Sequence, residues 1–178
     1  VYKKENGYLG ILSYDKENDD LLFCSKSSLI SDHVEWFKEI FEKTNCCKSA
    51  ALEEVKKGYS LIFEIVDPVR DPHIIKYTAP ELYLLDIVKN DLTDPSQPYD
   101  YVQKVSELLH CKCKEHVATI TNAKSLVDFV LTAQKENYQY NGKFIEGFVF
   151  EDKDHYRVKL KTDYYLMWKK LRSIIPSI

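Results

Sequence analysis

Apolar residues recur along this chain with two different periods, and the switches between them mark out the elements. Residues 7–14 and 21–25 are short apolar runs around the polar stretch Asp15-Lys16-Glu17-Asn18-Asp19-Asp20, a pattern that predicts a β-hairpin. Helical spacing comes next. With Asp32 as N-cap, Val34, Phe37, Ile40 and Phe41 share one face of a helix running to about Lys43. A second helix is expected over 50–57, stopped by Gly58. A strand follows at 59–66, then a turn through Pro68 and Pro72, then two apolar runs at 74–77 and 81–88. The stretch 91–98, rich in Asp, Pro and Ser, reads as a loop. It precedes a helix over 99–109 that turns Val102, Val105, Leu108 and Leu109 inward. Another helix fits 123–135. The last third predicts a strand at 146–150, a turn at Asp152-Lys153-Asp154, a strand at 156–161 and a closing helix from Asp163.

Strands in antiparallel-looking pairs with helices between them indicate an α+β fold rather than a doubly wound parallel sheet. With 178 residues the chain is long enough for one domain, or for two small lobes around a cleft. Hydrophobic residues at 44% and charged residues at 30% exclude a disordered polyelectrolyte. No apolar stretch approaches the roughly 18–20 residues of a membrane helix. The net charge of −3 excludes attachment to nucleic acid by bulk charge. Residues 149–178 nevertheless carry seven Lys/Arg against four Asp/Glu, a local excess that suits a focused phosphate site. Five Cys, two of them adjacent, form no disulfide framework, so free thiols in a reducing compartment such as the cytosol are expected. The opening on Val1, with no signal-like segment, suggests a piece of a longer protein.

There is no glycine-rich phosphate loop of the Walker or Rossmann kind, so side chains would have to hold any phosphate. Four segments could supply them. Lys4-Glu5-Asn6-Gly7 puts a lysine just before a glycine turn and a strand. Phe63-Glu64-Ile65-Val66 sets a carboxylate within an apolar strand, either alternating to solvent or held in a cleft. Glu146-Gly147-Phe148-Val149 sets another at the start of a strand. In Lys159-Leu160-Lys161 the two lysines point the same way, because strand residues two apart share a face, and Arg157 would join them. Each segment taken singly also fits an ordinary solvated surface.

In this order the segments resemble the motif series of covalent nucleotidyltransferases: DNA ligases, RNA ligases and mRNA capping enzymes. They are most similar to the phage-type ATP-dependent RNA ligase family. Phe-Glu-Ile-Val-Asp-Pro from Phe63, with the following Ile-Ile-Lys-Tyr and Leu-Tyr-Leu-Leu-Asp, is similar to that family's third motif and its downstream strands. Residues 146–165, ending Lys-Leu-Lys-Thr-Asp-Tyr-Tyr, resemble its last two motifs and the helix start beyond them. Ser25-Lys26-Ser27-Ser28 is similar to the basic segment that follows the nucleophile. The resemblance implies an adenylyltransferase domain over residues 1–178, with antiparallel sheets and flanking helices forming a nucleotide cleft.

The same resemblance implies roles for individual residues. Lys4 would attack the α-phosphorus of ATP and become lysyl-AMP; Lys3 is the rival, but only Lys4 has Asn two positions on and Gly three. Glu64 would bind the ribose or position the nucleotide. Glu146 would help hold Mg²⁺ or Mn²⁺, with Glu64 as a second metal candidate. Lys159 and Lys161 would contact the α-phosphate and the leaving group, and Lys26 and Tyr165 are further phosphate candidates. The partners implied are RNA 5′-phosphate and 3′-hydroxyl ends, in RNA or tRNA repair, with end-healing or RNA-specificity domains elsewhere. One departure stands out: Asn6-Gly7-Tyr8 occurs where most of the family carries Asp-Gly-Ser, although fungal tRNA ligases share Lys-x-Asn-Gly.

The chemistry demands such a set. A free lysine has a pKa of about 10.4, so only about four in ten thousand are neutral and nucleophilic at pH 7. Neighbouring cations or a bound metal favour the neutral form, and the same charges stabilise phosphoryl oxygens. Two other readings remain: a DNA ligase or GTP-using capping enzyme, and a non-catalytic nucleic-acid module that has kept the fold. His110, Cys111, Cys113 and His116 invite a zinc site. Their spacing does not match the usual structural pairs, and four ligands packed so closely would strain the backbone. The 13 Tyr, 8 Phe and 2 Trp fit core packing first and base stacking second.

Overall fold

The computed structural model describes residues 1–91, 93 and 96–175. In chain order the first elements are β1 (Tyr2–Lys4), β2 (Tyr8–Asp15), β3 (Asp20–Ser25), α1 (Asp32–Lys43), α2 (Lys48–Lys56) and β4 (Tyr59–Val66). There follow β5 (Glu81–Lys89), α3 (Tyr99–Leu109), β6 (Lys112–Cys113), α4 (Ala123–Ala133), β7 (Gly147–Glu151), β8 (Arg157–Lys161) and α5 (Asp163–Ile174). They fall into two compact units. One comprises Val1–Asn6, Pro72–Lys76 and Glu115–Ile178; the other comprises Gly7–Asp71 and Tyr77–Lys114. The α+β class expected from the sequence is the class observed.

The larger unit is a five-stranded sheet in the order β3-β2-β4-β5-β6, with α1, α2 and α3 packed on it. Every neighbouring pair is antiparallel except β5 and β6, which run parallel. The strand β4 anchors the core: Leu61, Phe63 and Ile65 are fully buried, and strict alternation puts Ile62 and Glu64 on the opposite side. The α1 helix buries Val34, Phe37, Ile40 and Phe41, as their spacing requires. Its cap lies one residue earlier than the sequence suggests. Ser31 accepts the N–H of Val34, and Asp32 occupies the first turn, where a carboxylate complements the helix dipole.

The α3 helix also corrects an expectation. It buries Val102, Val105, Ser106 and Leu109, while Leu108 is 49% exposed. Positions 102, 105, 106 and 109 complete the i, i+3, i+4, i+7 stripe, and Ser106 tolerates burial because its hydroxyl donates to the Gln103 carbonyl. Residues 74–77 form no strand. Of the expected loop 91–98, Leu92, Asp94 and Pro95 lie outside the described residues.

Just after β4, Asp67 organises the turn that follows. It is buried, accepts the N–H groups of Val69 and Arg70, and pairs with the Arg70 guanidinium at 2.6 Å. Burial pushes its pKa upward, but the Arg70 side chain and the two N–H donors outweigh that and hold it below the usual carboxylate value. A folded-state pKa below the unfolded one gives stability that is present above about pH 4 and lost as the pH falls through the folded value. Asp67→Asn is therefore expected to cost about 1.5–3 kcal/mol at pH 7. In denaturant titrations the gap to the parent should narrow as the pH drops below about 4.

The smaller unit holds a three-stranded antiparallel sheet in the order β1-β7-β8, with α4 and α5. Its core is Phe148, fully buried, with Ile145, Ala133 and the edge-on rings of Phe129, Tyr138 and Tyr140. The β1 strand was not anticipated. Three residues, two of them lysines, carry no alternation, and the strand exists because β7 supplies its backbone partners. Among the described residues no helix is long and apolar enough to cross a membrane.

Candidate active site

Register builds this site. Lys4 on β1 stands opposite Gly147 on β7, and Gly147 stands opposite Lys161 on β8. The three residues form one cross-strand row, so both lysine side chains leave the same face of the sheet. The middle of the row must be glycine. Gly147 has φ +157°, and a Cβ there would sit 1.9 Å from the carbonyl oxygen of Leu160. Two ammonium-bearing chains therefore flank a position without a side chain.

Both converge on Glu146, the residue before β7, which is 3% exposed. Its Oε1 lies 3.0 Å from Lys4 Nζ and 3.4 Å from Lys161 Nζ. Its Oε2 accepts a hydrogen bond from Asn6 Nδ2 at 2.9 Å. Asn6, itself buried, uses its other end as well: Oδ1 accepts the N–H of Ile75 at 3.1 Å, which anchors the irregular segment Pro72–Lys76. The amide donates to the carboxylate through its nitrogen and accepts the backbone N–H through its oxygen. An aspartate here would lose the donor and face Glu146 with a second negative charge. Asn6→Asp is expected to cost about 2–3 kcal/mol in thermal melts of the protein, a loss that Asn6→Gln would not reproduce by charge.

Thr162 fastens the far end of the site. Its hydroxyl donates to the Ile145 carbonyl at 2.8 Å, its N–H donates to the Glu146 carbonyl at 2.9 Å, and it caps α5 by accepting the Tyr165 N–H. Tyr165 is buried at the start of α5, with Lys161 Nζ 5.0 Å from its ring centre, a cation–π contact that steers the ammonium.

The remaining sequence candidates fall in different places. Lys3 pairs with Phe148, so its side chain leaves the opposite face from Lys4, and its Nζ reaches Glu5 at 2.9 Å. Lys159 shares the face of Lys161 but is exposed and makes no ion pair among the described residues. Arg157 does not join the lysines, because Glu151 on β7 takes its guanidinium. In the larger unit, Glu64 Oε1 accepts the Gly7 N–H at 2.8 Å. Gly7 is needed there, since a Cβ would lie 2.0 Å from the Ile65 carbonyl oxygen. Lys26 is exposed just past β3. Tyr8, the departure from the family pattern, packs edge-on against His33 with ring centres 4.7 Å apart. Burial, then the negative charge of Asp67, pushes its phenol pKa up.

Thr162 and Ile75 are not among the sequence candidates, and Asn6 enters there only as a member of the Lys-x-Asn-Gly motif. Its partnership with Glu146 has no local signal, since the two are 140 positions apart in the chain. The zinc reading finds no support: among the described residues no three His, Cys, Asp or Glu are placed to hold a metal ion together, and His110 serves as the left-handed C-cap of α3. At the row two lysines face one carboxylate, an arrangement that attracts a phosphate.

The chain matches the family model described as RNA ligase over residues 1–165. Among solved structures it resembles the Naegleria gruberi RNA ligase with PPi, at 16% identity and a TM-score of 0.71, over 96% of this chain and 51% of that one. It also resembles a lysine-to-alanine variant of the Naegleria gruberi RNA ligase with ATP and Mn, at 15% identity and a TM-score of 0.69, over 95% of this chain and 50% of that one. The chain thus spans about half the length of these structures, and identities this low carry the fold alone. No curated protein matches it.

Proposed function

As the chain belongs to the RNA ligase family, we propose that it joins RNA ends through a covalent lysyl-AMP on Lys4. One observation carries the reading: Lys4 and Lys161 reach the same oxygen of buried Glu146 from a row whose centre is glycine. A phosphate entering that row meets two ammonium groups and no side chain between them. Lys4 Nζ, released from Glu146 and deprotonated, attacks the α-phosphorus of ATP; the N–P bond forms, the Pα–O bond to the β-phosphate breaks and pyrophosphate leaves. Lys161, steered by Tyr165, and Lys159 neutralise the charge on the phosphoryl oxygens. An oxygen of an RNA 5′-phosphate then displaces Lys4 from the AMP phosphorus. A 3′-hydroxyl attacks the activated 5′-phosphate, and AMP leaves as the phosphodiester closes.

A divalent cation fits the donor set. Mg²⁺ and its relatives take one or two carboxylates and complete their shell with substrate phosphates and water, so Glu146 suffices beside a nucleotide. When bound, the cation would supply Lewis-acid stabilisation of the phosphoryl oxygens. The Naegleria gruberi ligase with PPi, and its variant with ATP and Mn, support ATP and a divalent metal as the cofactors here. Glu64 is proposed as a ribose contact or second metal ligand, and Lys26 as a phosphate contact, on the likeness of their segments to the family motifs. The proposed setting is RNA or tRNA repair in the cytosol, where five free cysteines would stay reduced, with end-healing or RNA-reading domains as partners.

The test is incubation with ATP, Mg²⁺ and a 5′-phosphorylated single-stranded RNA. The expected products are AMP-capped RNA and joined strands, with no label transferred from GTP. Label from GTP in place of ATP would favour a capping enzyme, sealing of DNA alone would favour a DNA ligase, and no covalent label with any nucleotide would leave a binding module.

A further inference from the structure

The smaller unit holds a second feature that the lysine row does not use. A cavity of about 250 Å³ is lined by His73, Ile74 and Lys76 on one side and by Tyr164, Trp168 and Arg172 on the other. The second group recurs every four residues, so it forms a single stripe along α5. Its two rings are held in place. Phe144 stacks on Tyr164 with centres 3.9 Å apart and planes within 8°, and Tyr164 lies 6.3 Å from Trp168. Arg172 donates a hydrogen bond to the carbonyl of Pro72, another lining residue, at 3.4 Å, which tethers its guanidinium at the cavity. The lining includes no acidic side chain and no member of the Lys4–Glu146–Lys161 set.

We infer that this cavity takes one nucleotide of a single-stranded RNA, its base stacked on the Tyr164–Trp168 stripe and its phosphate held by Lys76 and Arg172. The inference rests on the ligase reading for the identity of the strand, and names where a nucleotide beside the sealed end is gripped. Size favours it: the cavity falls just below the roughly 300–1,000 Å³ of ordinary ligand sites, which suits a single base rather than a whole nucleoside triphosphate. Charge favours it as well. Two permanent cations, Lys76 and Arg172, in a lining without an acidic side chain attract a phosphodiester and repel a basic peptide. The rings add a sequence-tolerant platform, because every base presents a π-face. Stacking for affinity and cations for the backbone is the combination that holds single strands without reading their sequence.

The test measures binding and adenylylation separately on the full chain. A 3′-fluorescein, 5′-phosphorylated oligoribonucleotide is titrated by anisotropy, and AMP attachment is followed by intact mass. Trp168→Ala should weaken RNA binding about tenfold while AMP attachment is unchanged, and Trp168→Phe, which keeps a stacking face, should restore most of the affinity. Arg172→Ala, at an exposed position whose loss leaves the helix intact, should reduce the slope of log affinity against log salt by about one. Unchanged RNA binding in Trp168→Ala and Arg172→Ala would overturn the inference. So would a loss of ATP use with RNA binding intact, which would give the cavity to the cofactor. Absence of the AMP adduct in the parent would refute the ligase reading alone, since the anisotropy arm reads RNA binding without it.

Discussion

Glu146→Ala is expected to slow AMP attachment to Lys4 by about a thousandfold, with the protein still folded. Glu146 is the one carboxylate on which both lysines converge, and its second oxygen holds Asn6, which in turn anchors Ile75. Removing it sets Lys4 and Lys161 adrift, leaves two like charges facing each other and takes away the carboxylate that suits a divalent cation. Loss of a single preorganised group around a reacting phosphoryl or acyl centre costs about a hundred- to a thousandfold, and under the proposed mechanism Glu146 would supply both positioning and a metal donor. Glu146→Gln separates the two roles. Its amide oxygen still accepts from Asn6, so the fold should hold nearly as in the parent, while the lost charge should still depress the rate. Single-turnover mass measurements over minutes to hours would read both. A rate for Glu146→Gln equal to the parent's would remove the carboxylate from the mechanism.

Gly147→Ala should be the most destructive single-methyl change in the chain. The new Cβ would sit 1.9 Å from the Leu160 carbonyl oxygen and 2.8 Å from the Lys161 Cα, both backbone atoms, so no rotamer relieves the clash. The positive φ adds strain for any side chain. Relief requires β7 and β8 to separate, which breaks the ladder that sets Lys161 opposite Gly147 and carries Phe148 into the core. A loss of about 4 kcal/mol or more is expected, visible as melting of the smaller unit well below the parent and complete loss of AMP attachment. Gly142→Ala is the internal comparison. It also has positive φ, but nothing lies within 4 Å of its added Cβ, so the cost should stay near 1–2 kcal/mol. Equal effects at the two positions would contradict the steric account.

Much of this architecture is written in the chain because its elements are long and strongly periodic. The strand over 59–66 and the helix over 99–109 coincide with β4 and α3, since alternation in the first and helical spacing in the second leave little choice. The misses share a physical cause. The three-residue β1 strand carries no pattern of its own and forms because β7 offers it hydrogen bonds from more than a hundred residues away. Leu108 looks inward to a reading that counts apolar residues, whereas the burial stripe takes the serine at 106 instead. The site follows the same division. Lys4, Glu146 and Lys161 are visible as chemistry in the sequence, and the two-residue step from Lys159 to Lys161 fixes their common face. Which lysine meets the carboxylate is decided by register: Lys161 lies across from Gly147, Lys159 from Val149, and Arg157 is absorbed by Glu151. Asn6 reveals its role only when both ends of its amide are seen in use.

The most direct test of the central claim is intact-mass spectrometry before and after incubation with ATP and Mg²⁺, on the parent, Lys4→Ala and Lys3→Ala. Lys3 and Lys4 are chain neighbours whose side chains leave opposite faces of β1, so the pair isolates geometry from composition. The account predicts a gain of one AMP in the parent and in Lys3→Ala, its reversal by added pyrophosphate, and no gain in Lys4→Ala. An adduct that persists in Lys4→Ala, or one that disappears in Lys3→Ala alone, would contradict it.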